Sequence, residues 1–283
     1  VALTACALTL ALAPRAAQSF ESDQLTRRGQ PLVDVVDAAN ARADALLTEA
    51  AARTNLRLGC SGTQEETHRV LARQVFHVMG RPTLIAPRGE LPTMEFGAYS
   101  AWLESGPLAR RTFSARDDLY SKVRLLERPI LALWGPASTV RLGDLLVGTD
   151  KIDHFWVQGW LYWLRSRQGE NEARAVAWGT RTELQLWGQA TTGVFSWADL
   201  AANQRGYEFY AGLLGPDSPL QRDAEGCVAL ASGFHWQTWA DQRFDEVLNP
   251  STYLPTLADD LADYLVRNRD NLCAEWPLWQ AEA

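Results

Sequence analysis

The polar residues best suited to chemistry lie between Val147 and Leu214, on three consecutive predicted helices. His154 and Gln158 stand four residues apart on a helix, from about 151 to 166, whose other residues are nearly all apolar. A helix without a polar face is a buried helix, and residues four apart are neighbours on it. Burying a polar group without a partner costs roughly 2–7 kcal/mol. These two side chains must therefore either have hydrogen-bond partners or serve a function that offsets this cost.

Two carboxylates follow on the next two predicted helices. Glu183 belongs to the helix from about 171 to 187, and Asp199 to the first turn of the helix that begins at Ser196. A carboxyl in an apolar, tryptophan-rich setting has a raised pKa, and a second carboxylate completes the pair that glycoside hydrolysis needs. With an imidazole, the same groups suit general acid–base chemistry or a divalent ion. The predicted catalytic residues are Glu183, His154 and Asp199.

Five further residues of this stretch are predicted to bind a substrate. Lys151 is one of two lysines in a chain with 25 arginines, and a lysine ammonium can shift its pKa when it is buried. The others supply amides close to the carboxylates or aromatic surfaces on which a sugar could stack. The predicted substrate-binding residues are Lys151, Gln158, Asn203, Trp160 and Trp187.

A second interpretation explains the same residues without catalysis. A buried hydrogen-bond network could simply hold three helices in place. Asp199 would then be the N3 residue of a capping box that begins at Ser196. Asp150 and Asp153 would cap the helix from about 151 to 166. The sequence leaves both interpretations open.

Three motifs in this part of the chain resemble those of a group of exported bacterial proteins that have no assigned activity. They are the run from Gly148 to Phe155 with its DKxxHF pattern, the run from Thr192 to Asn203, and Asp245-Glu246 followed by Asn249-Pro-Ser251. The resemblance covers roughly residues 140–275 and implies a common motif core but no reaction. The DKxxHF piece alone is also similar to the VanZ-like membrane proteins, from which nothing is transferred, because the helix is too short and further spans are missing.

The sequence assigns no cofactor and no metal ligand. It lacks a GxSxG elbow, a P-loop, an HExxH helix and a strand-preceded GxGxxG, and its Cys and His spacing is not that of a zinc site. Asp241, Asp245 and Glu246 are expected to be solvated, since a calcium site would need more oxygen ligands at loop spacing.

The first residues predict export. The apolar run from Ala2 to Ala13 has the length of a signal-peptide core, and small residues precede Phe20, so residues 1–19 are predicted to be a signal peptide. A lipoprotein anchor at Cys6 is the less favoured alternative, because the apolar run continues beyond it. No later stretch is long and apolar enough to span a membrane. We therefore expect a periplasmic or extracellular protein.

Export places the cysteines in an oxidising compartment. Cys60, Cys227 and Cys273 would remain after cleavage, and an odd count indicates one disulfide and one free thiol. The pair Cys227–Cys273 is the favoured prediction, because it would tie the last helix to the loop before His235.

Composition and pattern predict a mainly α protein. The hydrophobic share of 47% and the charged share of 22% are those of a folded chain, and the net charge of −7 argues against nucleic-acid binding. We expect a single compact multi-helix domain over residues 20–283, with loop-rich insertions such as 81–113. Residues 20–30 are predicted to be a loose leader, and 140–147 could be a strand or a short helix.

Together these features predict an exported, envelope-associated α-helical protein with a buried polar pocket. The first functional hypothesis is a hydrolase of an envelope glycan or a lipid-linked small molecule. The alternative is a non-catalytic binding or scaffold protein in which the polar cluster is structural. The sequence does not indicate the oligomeric state.

Overall fold

The computed structural model describes residues 21–26, 28–29, 31–80, 98–105, 119–120, 137–168, 171–190 and 192–274. These residues are mainly helical, which confirms the predicted fold class. The predicted signal peptide with Cys6, and most of the loop-rich segment 81–113, lie outside the described residues. Within them, no helix has both the length and the apolar character that crossing a membrane requires.

Eight helices of the described part form the framework of the core and of the polar cluster. They are α1 (Val36–Leu58), α2 (Gln64–Met79), α3 (Ala98–Ser105), α4, α5, α6 (Trp197–Ala211), the single turn α7 (Trp236–Trp239) and α8 (Pro255–Arg267). α4 joins Thr149–Asp153, a π-helical turn His154–Gln158, and Gly159–Arg167. α5 joins Glu172–Thr182 and a second π-helical turn, Glu183–Trp187. Such turns occur frequently at functional sites, and His154 and Glu183 each begin one.

The strands form three antiparallel pairs. They are β1 (Thr139–Leu142) with β2 (Leu145–Gly148), β3 (Val194–Phe195) with β6 (Thr252–Tyr253), and β4 (Leu220–Arg222) with β5 (Val228–Leu230). The stretch 140–147 is therefore a hairpin, which resolves the choice between strand and helix. Thr139 lies opposite Gly148, the last residue of β2, so the hairpin ends where α4 begins.

The core is built around the buried face of α4. Phe155 and Trp156 have no exposed surface, and Trp156 packs edge-on against Phe209 of α6 with ring centroids 5.2 Å apart. Phe234 and Trp236 complete this aromatic cluster from the segment after β5. Its edge-to-face geometry is the favoured one for aromatic pairs, so most of these rings are explained by packing.

α4 and α6 cross at two glycines. A Cβ atom on Gly159 would lie 2.5 Å from the Cα of Gly206, and one on Gly206 would overlap the carbonyl oxygen of Phe155. The helices therefore approach as closely as their backbones permit. This crossing brings His154 of α4 against Asn203 of α6.

The segment after the predicted cleavage point is not the loose leader that we expected. Glu21, Ser22 and Asp23 are each only 1% exposed. Their polarity was misleading because the interior supplies partners: Asp23 accepts the backbone N–H of Leu25 at 3.0 Å and that of Thr26 at 2.9 Å. Buried polar groups are normally hydrogen-bonded in this way.

One disulfide joins Cys60 to Cys227, and Cys273 is free and exposed. The predicted count of one disulfide and one thiol is confirmed, but the predicted pair Cys227–Cys273 is wrong. The reason lies at Asn55, near the end of α1, whose side chain binds both the backbone N–H and the carbonyl oxygen of Val228. That clamp places Cys227 beside the turn that follows α1. A disulfide is compatible with the expected oxidising compartment.

Candidate functional site

Lys151 lies at the centre of a buried ionic cluster. Its side chain has no exposed surface, and its Nζ lies 2.6 Å from Asp150 Oδ2 and 2.8 Å from Asp199 Oδ1. The same Nζ also contacts Glu246 Oε1. The three carboxylates come from α4, from α6 and from the segment before β6, so a single ammonium joins three separate parts of the chain.

The lysine is a permanent cation in this setting. Burial alone would lower its pKa, but the charges of Asp150, Asp199 and Glu246 raise the pKa of Lys151 well above its ordinary value. From the sequence we expected a shift in the pKa of a buried lysine without giving its direction, and the shift here is upward. The structure also leaves Lys151 no exposed surface on which to meet a substrate.

His154 forms the second cationic part of the cluster. Its Nε2 lies 3.1 Å from Asp199 Oδ2, and its Nδ1 lies 2.9 Å from Asn203 Oδ1. Asn203 Nδ2 in turn donates to the hydroxyl of Tyr162 at 3.2 Å, an arrangement that leaves its oxygen to accept from the imidazole. Both ring nitrogens therefore donate. Neither offers a lone pair to a metal or to a proton on a substrate.

The charge of His154 is set by Asp199. Burial would lower the pKa of the imidazole, but the charge of the Asp199 carboxylate and its hydrogen bond raise the pKa of His154 to about 9. Burial would likewise raise the pKa of Asp199, but the charges of His154 and Lys151 outweigh it and hold that pKa well below its usual range. The pair is an imidazolium–carboxylate ion pair at neutral pH.

The capping roles expected for the aspartates are only partly present. Ser196 Oγ accepts the N–H of Asp199 at 3.1 Å, as the capping box predicts. However, the N–H of Ser196 donates to Glu183 Oε1 at 3.4 Å and not to Asp199, so the Asp199 carboxylate is available to bridge the two cations. Asp150 is also not the cap of α4, because Gly148 occupies that position and the Asp150 side chain binds Lys151.

Glu183 is a buried carboxyl group with a raised pKa. Its side chain is 3% exposed. Burial and the nearby charge of Asp199 raise the pKa of Glu183 to about 8, although His154 and the Ser196 N–H oppose the shift. Glu183 therefore holds its proton at neutral pH, as we expected for a carboxyl in this setting.

A small cavity lies between α4, α5 and α6. Its volume is about 10 Å³, which is roughly the room for one water molecule. The residues that line it are His154, Gln158, Gly179, Thr182, Glu183 and Asn203. Four of these were selected from the sequence as members of one site, and the structure brings them together.

The two predicted aromatic contacts lie elsewhere or are not described. Trp160 stacks on Phe76 of α2, with ring centroids 4.0 Å apart, and is not part of the cavity wall. The side chain of Trp187 lies outside the described residues.

The prediction that Asp245 and Glu246 are solvated is wrong. Asp245 is 2% exposed and forms a two-pronged ion pair with Arg28, at 3.0 and 2.5 Å. Glu246 is 8% exposed and binds Lys151 and the hydroxyl of Ser196, the latter at 3.1 Å. Both carboxylates are buried because each forms an ion pair with a cation that is distant in sequence. The DExxNPS motif was the one sequence signal that could have identified them.

Glu21 is the other residue that sequence reasoning missed. It accepts the hydroxyl proton of Thr192 at 2.8 Å. Burial, followed by the charge of Asp199, raises its pKa well above the ordinary value. No periodic pattern surrounds this residue, so only the three-dimensional structure shows that it joins the cluster.

No protein family, no curated protein and no solved structure matches the chain.

Proposed function

We propose that the protein is a hydrolase in which Glu183 is the general acid and then the general base. The observation that carries the proposal is the place of this carboxyl on the wall of a water-sized cavity, beside the imidazolium of His154. A group whose pKa lies near the working pH is the most effective proton-transfer catalyst. A pKa of about 8 meets that condition.

The roles of the neighbouring residues follow from their bonds. Glu183 would protonate the leaving oxygen of the substrate as the bond from that oxygen to carbon breaks. As a carboxylate it would then take a proton from a water molecule held in the cavity while the water oxygen bonds to the same carbon. His154 cannot replace it as a base, because both of its nitrogens already donate. Its positive charge would stabilise the carboxylate that Glu183 becomes. Asp199 acts through His154 and is a positioning residue, since its two oxygens bind His154 and Lys151.

The substrate class is proposed from the chemistry of the wall. Around Glu183 the wall includes the polar residues Gln158 and Thr182, and His154 contributes one positive charge. Such a wall suits an uncharged, oxygen-linked bond. Together with the predicted export, this favours a glycosidic or ester linkage in an envelope glycan or a lipid-linked molecule. The cavity as it stands admits only a water, so the reacting bond must approach from outside α4 and α5.

A second candidate function is favoured by a different observation. Lys151 is completely buried and joins carboxylates from three parts of the chain, which is what a purely structural network would do. In that case the protein is a non-catalytic binding or scaffold protein, and Glu183 is a buried neutral group without catalytic use.

The substitution Glu183→Gln separates the two candidates. Glutamine keeps the size and the neutral state of the buried carboxyl but cannot transfer its proton. Purified wild-type protein is incubated with peptidoglycan sacculi and, separately, with a lipid-linked oligosaccharide, and released fragments are quantified by mass spectrometry. We expect the variant to lose at least about 100-fold in rate, the usual contribution of general acid–base catalysis. The wild-type rate should also fall as the pH rises through about 8.

The matched control is Glu225→Gln, which removes an exposed carboxylate between β4 and β5, outside the cavity wall, and should retain the wild-type rate. Unfolding midpoints of all three proteins should agree. Equal rates for Glu183→Gln and the wild type, or no release by the wild type from either substrate, would contradict the hydrolase and favour the scaffold.

A further inference from the structure

We propose that Glu21, Asp150 and Glu246 form a binding site for a divalent cation that prefers oxygen ligands, next to but separate from the Glu183 cavity. One carboxylate oxygen of each residue lies within 4.8 Å of the other two. Oxygens bound to a common calcium ion lie about 2.3–2.6 Å from it, so this spacing is what a shared ion allows. All three side chains are buried.

Two of the three proposed ligands and a neighbouring serine have oxygens without a hydrogen-bond partner. Within the part of the chain that the structure describes, Glu21 Oε2, Asp150 Oδ1 and Ser22 Oγ are buried without a hydrogen-bond partner. A Cβ on Gly148 would overlap both Asp150 Oδ1 and Ser22 Oγ, so these two oxygens lie side by side over the glycine. Buried oxygens without donors are costly, and a bound ion is one of the few things that explains them.

Lys151 does not fill this need. Its Nζ binds Oδ2 of Asp150 and Oε1 of Glu246, which leaves Oδ1 of the aspartate unused. It therefore holds one oxygen of each of two proposed ligands, as groups around a metal site commonly do. Its positive charge also makes a very tight site unfavourable.

Carboxyl groups outnumber cationic groups in this cluster. Among the described residues it contains Glu21, Asp150, Asp199 and Glu246, with Lys151 and His154 as the cationic groups. A divalent cation binds the carboxylate forms of its ligands and would offset the repulsion among them.

The ligand set indicates the type of ion and its route of entry. Carboxylates and a hydroxyl suit Ca²⁺, Mg²⁺ or Mn²⁺ and do not suit zinc or copper. Glu246 also borders a surface cleft of about 190 Å³, whose wall includes Ser22, Tyr120 and Tyr253. An ion can reach the cluster through this cleft without passing the Glu183 cavity, which lies among other residues.

The test is a titration of the full chain after treatment with a chelator. Bound Mn²⁺ is quantified by electron paramagnetic resonance, with Ca²⁺ and Mg²⁺ as competitors at constant ionic strength. We expect one Mn²⁺ per chain, a dissociation constant on the order of 10⁻⁴–10⁻³ M, as in extracellular calcium modules, and a higher unfolding midpoint at saturation. Activity is not needed as a readout.

Glu21→Gln is the most informative variant, because a glutamine side chain has nearly the same size and its amide oxygen can still accept the hydrogen bond from Thr192. We expect at least a tenfold loss of Mn²⁺ affinity, whereas Glu225→Gln should bind like the wild type. If the glutamine variant does not fold, the wild-type stoichiometry decides by itself. No saturable Mn²⁺ binding by the wild type below about 10 mM, or equal affinity in a folded Glu21→Gln variant, would overturn the proposal.

Discussion

At the scale of single residues, the site separates into one group with a proton to transfer and several groups that hold it in place. Glu183 lines the cavity with its proton still bound, while His154 and Asp199 use all of their bonding atoms on each other, on Asn203 and on Lys151. The three residues predicted to be catalytic therefore differ in whether they have a group free to exchange a proton. In the proposed mechanism Glu183 is the reacting group, and His154 and Asp199 are its electrostatic support.

Lys151→Met tests the supporting role of the lysine. Methionine fills a similar volume but leaves Asp150, Asp199 and Glu246 without their shared cation. Breaking a buried ion pair by removing one partner usually costs about 3–5 kcal/mol. We expect a loss of that size in the free energy of unfolding, measured by urea denaturation at pH 7.

Arg53→Met is the matched control for this measurement. It removes a half-exposed cation that pairs with Glu49 on the surface of α1, and such pairs contribute about 1 kcal/mol or less. If Lys151→Met cost no more than the control, the cluster would not hold the three parts of the chain together.

At the scale of elements, the two π-helical turns and the glycine crossing place the site. His154 and Glu183 each begin a π-helical turn, and the crossing of α4 and α6 at Gly159 and Gly206 sets His154 against Asn203. The sequence predicted the three helices and the side of α4 that holds His154 and Gln158. It could not predict the turns or the crossing, because both depend on how closely two backbones approach, which helical periodicity does not encode.

Gly206→Ala tests the crossing. The added methyl group would overlap the backbone of Phe155, which cannot move aside as a side chain can. Overpacking of this kind usually costs about 1–3 kcal/mol. We expect a loss in that range by urea denaturation, together with loss of the hydrogen bond between His154 and Asn203 as α6 moves away.

Gly212→Ala provides the comparison at the C-cap of the same helix. Its Cβ would lie 3.1 Å from the carbonyl oxygen of Glu208, a tight contact but not an overlap, and we expect a change under about 1 kcal/mol. Equal effects of the two substitutions would show that the close approach of the helices does not matter for stability.

At the scale of the whole molecule, contacts between distant parts of the chain complete the site. Glu21 precedes the first helix, and Glu246 lies close to the last one, yet both reach the cluster at the start of α4. These residues were missed because local pattern says nothing about partners more than 90 positions away. The N-terminal segment was expected to be loose, and the acidic residues before β6 to be solvated, for the same reason.

The disulfide between Cys60 and Cys227 also connects distant parts of the chain. It joins residues 167 positions apart, so its removal should free a long stretch of the unfolded chain. We expect Cys60→Ala combined with Cys227→Ala to lose about 2–5 kcal/mol of unfolding free energy, the usual cost of removing a native disulfide. Cys273→Ser should be neutral, since that residue is exposed and unpaired. Peptide mapping of the oxidised protein that linked Cys227 to Cys273 would contradict the structure.

The state of the Glu183 carboxyl tests the central claim most directly. The protein is labelled with ¹³C at the glutamate carboxyl carbon, and the Glu183 signal is assigned by its loss in Glu183→Gln. Its chemical shift is then followed from pH 3 to pH 10. We expect a midpoint near 8 for Glu183, because burial and the charge of Asp199 disfavour its carboxylate form. A midpoint near 4.5, the ordinary value for glutamate, would mean that the group is already ionised at neutral pH and would contradict its role as the acid.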